Sequence, residues 1–268
     1  MNYNTDEKIM SRINEHVEIV ESLNYNWVMV ALCGSQNYGV AYEDSDVDTK
    51  AILLPTFNDF VLTKSPISTT HICENNEHID LKDVRAMFDC FKKQNTNFIE
   101  ILFTKYKVIN PEYVKIVAPL FDNRELIASY NNYATINSLC GMALQKYKAM
   151  EHPYPTLLDK IEKFGYDPKQ LHHIIRLLFF IRTYVKGVSY EECLNTPQKK
   201  YLIEVKRGCH NLEEARDLAE RATKEIYELK EKYMETHPLV VKKEAEEVLD
   251  SVLVNLLRYS FERTLKES

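Results

Sequence analysis

Glycine is scarce in this chain: 6 of 268 residues, about 2% where average usage is about 7%. Few positions can therefore take left-handed or cramped backbone conformations, and a place where two glycines cluster stands out. The six cysteines are scattered and none forms a C-x-x-C pair, which removes zinc-ribbon and dithiol redox motifs. No apolar run approaches the length of a membrane span; the best candidate, Leu177–Ile181, is bracketed by Arg176 and Arg182. The first residues are polar and carry Asp6 and Glu7, so no signal peptide is expected there. No P-loop pattern G-x-x-x-x-G-K-[ST] occurs anywhere. Basic runs are also missing, and the net charge is −6, which argues against non-specific duplex DNA binding. A local patch for a nucleic-acid end stays open.

What is present is ample core material: 45% hydrophobic and 28% charged residues, the composition of a folded water-soluble protein. Reduced thiols and a cytoplasmic location are expected. The chain divides by texture. Up to about residue 107 helix and strand patterns mix; beyond about residue 123 helices follow one another. The expectation is an α+β fold, with a mixed sheet and flanking helices over 1–110 and an all-helical region over 111–268.

Ile9, Ile13, Val17 and Val20 recur at helical spacing, so a first helix is expected over 6–23 with Thr5 as its cap. Residues 27–33 and 47–54 read as buried strands; 67–73 and 77–81 read as a further pair around the turn Glu74-Asn75-Asn76. A helix is expected over 82–93, with Val84, Met87, Phe88 and Phe91 on its apolar face. In the second half one long helix is expected over 124–150. Asp167-Pro168 is a helix start running to about Lys186. Asn211 with Glu214 forms a capping box for a helix that Pro238 ends, and a last helix spans 240–265.

Chemistry concentrates at the clustered glycines. Gly34-Ser35 follows a strand and opens a short turn, and Gly39 lies five residues on. Backbone N–H groups and a hydroxyl there suit a phosphate-sized anion. Ten residues (36–45) separate Ser35 from Asp46-Val47-Asp48 at the start of the next strand. Strand side chains alternate, so both carboxylates point one way and Val47 points inward. Two adjacent like charges with oxygen-only donors favour a hard cation, Mg²⁺ or Mn²⁺. An EF-hand loop is excluded, because its sixth and twelfth positions would be Thr49 and Pro55. A solvated acidic turn explains Glu43 and Asp44 well, and explains the alternation of Asp46 and Asp48 before an apolar run less well.

The string from Gly34 through Asp48, with Gly-Ser on one strand end and Asp-x-Asp on the next, resembles the signature of the DNA polymerase beta nucleotidyltransferase superfamily. It is most similar to a branch of bacterial and phage nucleotidyltransferases, some associated with RNA repair. The resemblance covers about the first hundred residues, with weaker likeness around 166–176 and 203–208. It implies a third carboxylate on a neighbouring strand. Asp80 in His78-Ile79-Asp80-Leu81 fits best, with Glu77 and Asp83 as alternatives; Asp80 could instead cap the helix after it. By resemblance, Asp46, Asp48 and Asp80 would be catalytic and would hold two Mg²⁺ or Mn²⁺ ions. Gly34 and Ser35 would hold the triphosphate of an NTP. Transfer of the NMP to an acceptor hydroxyl, such as an RNA or tRNA end, would release pyrophosphate. A catalytically silent nucleotide-binding module, or transfer to a protein or small molecule, are the alternatives.

Lys169, His173 and Arg176 sit at i, i+4 and i+7 on one face of an otherwise apolar helix. Buried cations need anions, so these three are expected to bind nucleotide phosphates, unless ordinary salt bridges satisfy them. His172 reads as a packed histidine, and Lys206-Arg207 as a solvated turn.

Overall fold

The computed structural model describes residues 6–42 and 45–267. Thr5, Glu43 and Asp44, expected to cap a helix and to form a solvated turn, lie outside the described residues. The fold is α+β, as expected. Two compact units emerge, and they are not sequential halves. One comprises residues 1–37, 41–130 and 242–268; the other comprises 38–40 and 131–241.

In the first unit, α1 (Asp6–Ser22) precedes β1 (Asn26–Leu32) and β2 (Thr49–Leu54). After the short α2 (Phe57–Val61) come β3 (Ser68–Ile72) and β4 (His78–Asp83). The helices α3 (Val84–Lys92) and α4 (Thr96–Ile99) lead to β5 (Lys107–Ile109). Then α5 (Val114–Asp122) and α6 (Arg124–Ala128) follow. The sheet order is β3-β4-β2-β1-β5, with β2 and β4 parallel and the other neighbours antiparallel. Ile9, Ile13, Val17 and Val20 of α1 bury against Val30, Leu32, Ala51, Leu53, Ile79 and Leu81. That one face removes most of its apolar side chains from water, at roughly 1.5–3 kcal/mol for each large one.

The second unit is helical. It consists of α7 (Asn132–Ala149), α8 (Leu158–Phe164), α9 (Pro168–Tyr184), α10 (Tyr190–Leu194), α11 (Lys199–Lys206) and α12 (Leu212–Thr236). Helices α7, α9 and α12 pack on one another, with α10 and α11 against α9. Asp167 caps α9 as expected, its carboxylate accepting from Lys169 N at 3.0 Å. Asn211 and Glu214 form the expected capping box on α12.

Two expectations need correction. The single helix over 124–150 is broken, because Asn131 caps α7 through a 2.8 Å bond from Ala134 N and terminates the α6 pattern. The last helix, α13 (Lys243–Glu267), does not belong with the helical unit. Its buried Ala245, Leu249, Val252 and Leu256 form one stripe that packs on α3, α5 and α6. The division into 1–110 and 111–268 therefore differs from the compact units at both ends of the second segment. All six cysteines are free thiols. Among the described residues no helix is long and apolar enough to cross a membrane.

Candidate functional site

The Gly34–Asp48 segment starts where β1 ends. Gly34–Gln36 forms one turn of 3₁₀ helix, and Gly34 has φ +78. A Cβ at Gly34 would meet nothing within 4 Å, so glycine is needed there for its left-handed backbone and not for room. Two bonds tie this turn to the Asp-x-Asp segment: Cys33 N donates to Asp48 O at 2.9 Å, and Gln36 Nε2 donates to Ser45 O at 3.2 Å. The loop's far side behaves differently. Tyr38–Val40 clusters with the helical unit, where Lys199 Nζ would lie 3.0 Å from a Cβ at Gly39.

Strand β2 begins at Thr49, after the expected start at 47, yet the alternation holds. Asp46 is exposed, Val47 is 2% exposed and Asp48 is half-buried. Asp80 lies in β4 and pairs in register with Lys50 of the parallel β2. It does not cap the following helix; Asp83 does, accepting from Arg85 N at 2.9 Å. Parallel pairing of β2 with β4 sets Asp48 and Asp80 on the sheet face opposite the α1 core, a diagonal step apart. Asp48 Oδ1 accepts from His78 N at 3.0 Å and lies 3.2 Å from His78 Nδ1.

Lys50, which drew no attention in the sequence, is the chief addition. It is 9% exposed, places Nζ 3.3 Å from Asp80 Oδ2, and lies over the Phe98 ring at 4.6 Å. Lys82 approaches the same ring at 4.8 Å and donates to Ser68 Oγ at 2.6 Å. Burial alone would lower the Lys50 ammonium, but Cys33, Glu100 and Asp80 around it raise it above the ordinary lysine value.

The two alternative third carboxylates have structural partners. Asp83 takes a two-pronged contact from Arg85 (2.9 and 2.7 Å) besides its cap. Glu77 is 7% exposed and accepts from Arg12 Nε at 3.0 Å, Arg12 Nη2 at 2.8 Å and Val47 N at 3.2 Å. His16 completes this network, with Nε2 3.1 Å from Glu77 and Nδ1 2.9 Å from Thr49 Oγ1. Burial raises the Glu77 carboxyl, but Arg12, Asn75 and the Val47 N–H outweigh it and hold it below its usual range. Burial lowers His16, so at neutral pH it is uncharged. A carboxylate only accepts, so the His16 proton sits on Nε2 and Nδ1 accepts from the Thr49 hydroxyl. Glu77 thereby anchors the peptide between Asp46 and Asp48 to α1.

As donors, Asp46, Asp48 and Asp80 are hard oxygens, none of them sealed from solvent, and they fit Mg²⁺ or Mn²⁺ chemically. Among the described residues no three carboxylate, imidazole or thiolate groups are drawn into a closed metal shell. The Asp80 carboxylate is turned instead to Lys50. A cavity of this unit, lined by Trp27, Pro55, Asp59 and Asn110 among others, opens at the other end of the β1–β2 ladder and includes none of the three.

The remaining expected site residues lie in the second unit. Lys169 is exposed, His173 half-buried and Arg176 only 6% exposed. The Arg176 guanidinium stacks on the Tyr38 ring at 4.0 Å. His172 is packed, as expected, with Nδ1 2.9 Å from Leu202 O. Compared with known proteins, the chain matches no protein-family model and no curated sequence.

Proposed function

We propose that the first unit is a metal-dependent nucleotidyltransferase that moves an NMP from an NTP to an acceptor hydroxyl. The observation that carries this reading is the joining of a Gly-Ser turn to an Asp-x-Asp segment by the Cys33–Asp48 backbone bond, with Asp80 on the adjacent parallel strand. Asp46, Asp48 and Asp80 would hold the metal. Bound there, Mg²⁺ would supply charge neutralisation for the phosphoryl oxygens. Gly34 and Ser35 present N–H and hydroxyl groups to the triphosphate. The acceptor oxygen forms a bond to the α-phosphorus, the α–β bridging bond breaks, and pyrophosphate leaves. Asp80 assists removal of the hydroxyl proton. Such chemistry is mostly positioning and charge stabilisation, so few side chains suffice.

An RNA or tRNA end is the acceptor we favour, on the resemblance alone; a protein or small-molecule hydroxyl is the alternative. The free thiols accord with a cytoplasmic setting. One observation supports a silent nucleotide-binding module as second reading: Lys50 already neutralises Asp80 from within the sheet. Thermal stabilisation by each NTP with Mg²⁺, followed by assay of released pyrophosphate, separates the two. Turnover that survives Asp46→Ala with Asp48→Ala in a folded protein would sink the transferase assignment.

A further inference from the structure

The second unit holds a group of cations that its own carboxylates leave unbalanced. Its other arginines show the contrast. Arg182 makes a two-pronged pair with Glu225 (2.6 and 2.6 Å), and Arg216 does so with Glu151 (2.9 and 2.6 Å). Arg176 is the most buried of these arginines, and among the described residues no carboxylate pairs with it. Its Nε is buried and has no hydrogen-bond acceptor. An unmet buried guanidinium N–H is costly unless a ligand supplies the acceptor.

Other basic side chains converge on it. Lys169 and His173 lie on the same face of α9, and Lys146 of the neighbouring α7 is half-buried within their electrostatic reach. Burial, then Lys169 and Arg176, lower the Lys146 ammonium, and Asp167 opposes them. Burial, then Arg176, His172, Lys146 and Lys169, hold His173 well below its ordinary value. Asp167 is committed to capping α9, with Lys160 3.8 Å away and Gln170 at 3.1 Å. Among the described residues, these basic groups thus gather with no carboxylate paired to Arg176.

We infer that the second unit binds an oligophosphate anion on Lys146, Lys169, His173 and Arg176, with Arg176 as the buried anchor and Lys169 at the exposed end. Lys169 and Arg176 are seven residues apart, about 10 Å along a helix. That run is longer than one phosphoryl group and suits a chain of two or three. Free pyrophosphate and the tail of a nucleotide share this chemistry. Oligophosphate binding on these four residues does not require metal at Asp46 and Asp48.

Binding is measured calorimetrically on the full chain in EDTA, with inorganic pyrophosphate, ATP and adenosine as probes. Pyrophosphate is expected to bind. Lys146→Met and Lys169→Met, at half-buried and exposed positions that should tolerate the change, are each expected to weaken it roughly tenfold, the loss of one charge-assisted contact. Arg176→Lys should weaken it at least as much. Asp46→Asn with Asp48→Asn should leave it unchanged. ATP binding tighter than pyrophosphate assigns the site to a nucleotide tail, and equal binding assigns it to free oligophosphate. No pyrophosphate binding at millimolar concentration, indifference to the lysine substitutions, loss in the double aspartate variant, or adenosine binding as well as ATP would each overturn the inference.

Discussion

Replacing Glu77 by glutamine tests whether the Asp46–Asp48 peptide is held from beneath. The swap keeps shape and removes charge. Glu77 accepts two contacts from Arg12, faces His16, and accepts from Val47 N, all within 3.2 Å. Breaking a buried ion pair costs about 3–5 kcal/mol. Here the Arg12 side chain keeps 23% exposure against 10% for Glu77, so the low end applies, about 3 kcal/mol. At roughly 2–4 °C per kcal/mol for a chain of this size, the melting temperature should fall by roughly 6–12 °C. Trp27 is the one tryptophan and is buried in β1, so its fluorescence in a urea titration reports the first unit specifically. Arg12→Met should cost less, because Glu77 keeps His16 and the Val47 N–H. The double variant should show a coupling of about 1–2 kcal/mol, within the usual range for residues in contact. Additive losses within about 0.5 kcal/mol, or no loss from Glu77→Gln, would refute the anchoring role.

Three further outcomes follow from the same geometry. Lys50→Met frees the Asp80 carboxylate from its internal cation, so Mn²⁺ binding measured by electron paramagnetic resonance should tighten; Lys50→Arg should not tighten it, and equal affinity in wild type and Lys50→Met would show that Lys50 does not compete for Asp80. Gly34→Ala should cost about 1–2 kcal/mol from left-handed strain alone, since its Cβ meets nothing within 4 Å; an unchanged urea midpoint would contradict this. His172 is held down to about 3 by burial, from an ordinary 6.5. Its neutral form is the folded one, so its contribution is whole above pH 6.5 and falls as the unfolded chain takes up a proton below it. Between pH 7.5 and 5.5 the loss should be about 1.4 kcal/mol. His172→Asn, which keeps a donor to Leu202 O, should flatten that slope in urea midpoints, and an undiminished slope would discount His172 as its source.

Local rules carried the sequence reading a long way. The apolar stripe of α1, the Asp167-Pro168 start of α9 and the Asn211 capping box each depend on residues within one or two turns, and each appears in the structure. The alternation around Val47 was legible for the same reason. What escaped was non-local. Arg12, His16 and Glu77 meet across 61 to 65 positions, which no period announces. Strand β5 has three residues, too few for a pattern. The return of α13 to the first unit depends on which stripe finds which partner, not on its helical period. Lys50 did carry a signal: a lysine inside an otherwise apolar strand is almost never buried without a partner, and that partner proved to be Asp80.

Label tracking tests nucleotidyl transfer at Asp46, Asp48 and Asp80. The protein is incubated with Mg²⁺, an RNA acceptor and, in parallel, NTPs labelled at the α- or the γ-phosphate. α-Label should enter the acceptor while γ-label leaves as pyrophosphate, and Asp46→Ala with Asp48→Ala should abolish both. Transfer of γ-label to the acceptor, or α-label transfer undiminished in the double variant, would contradict the assignment.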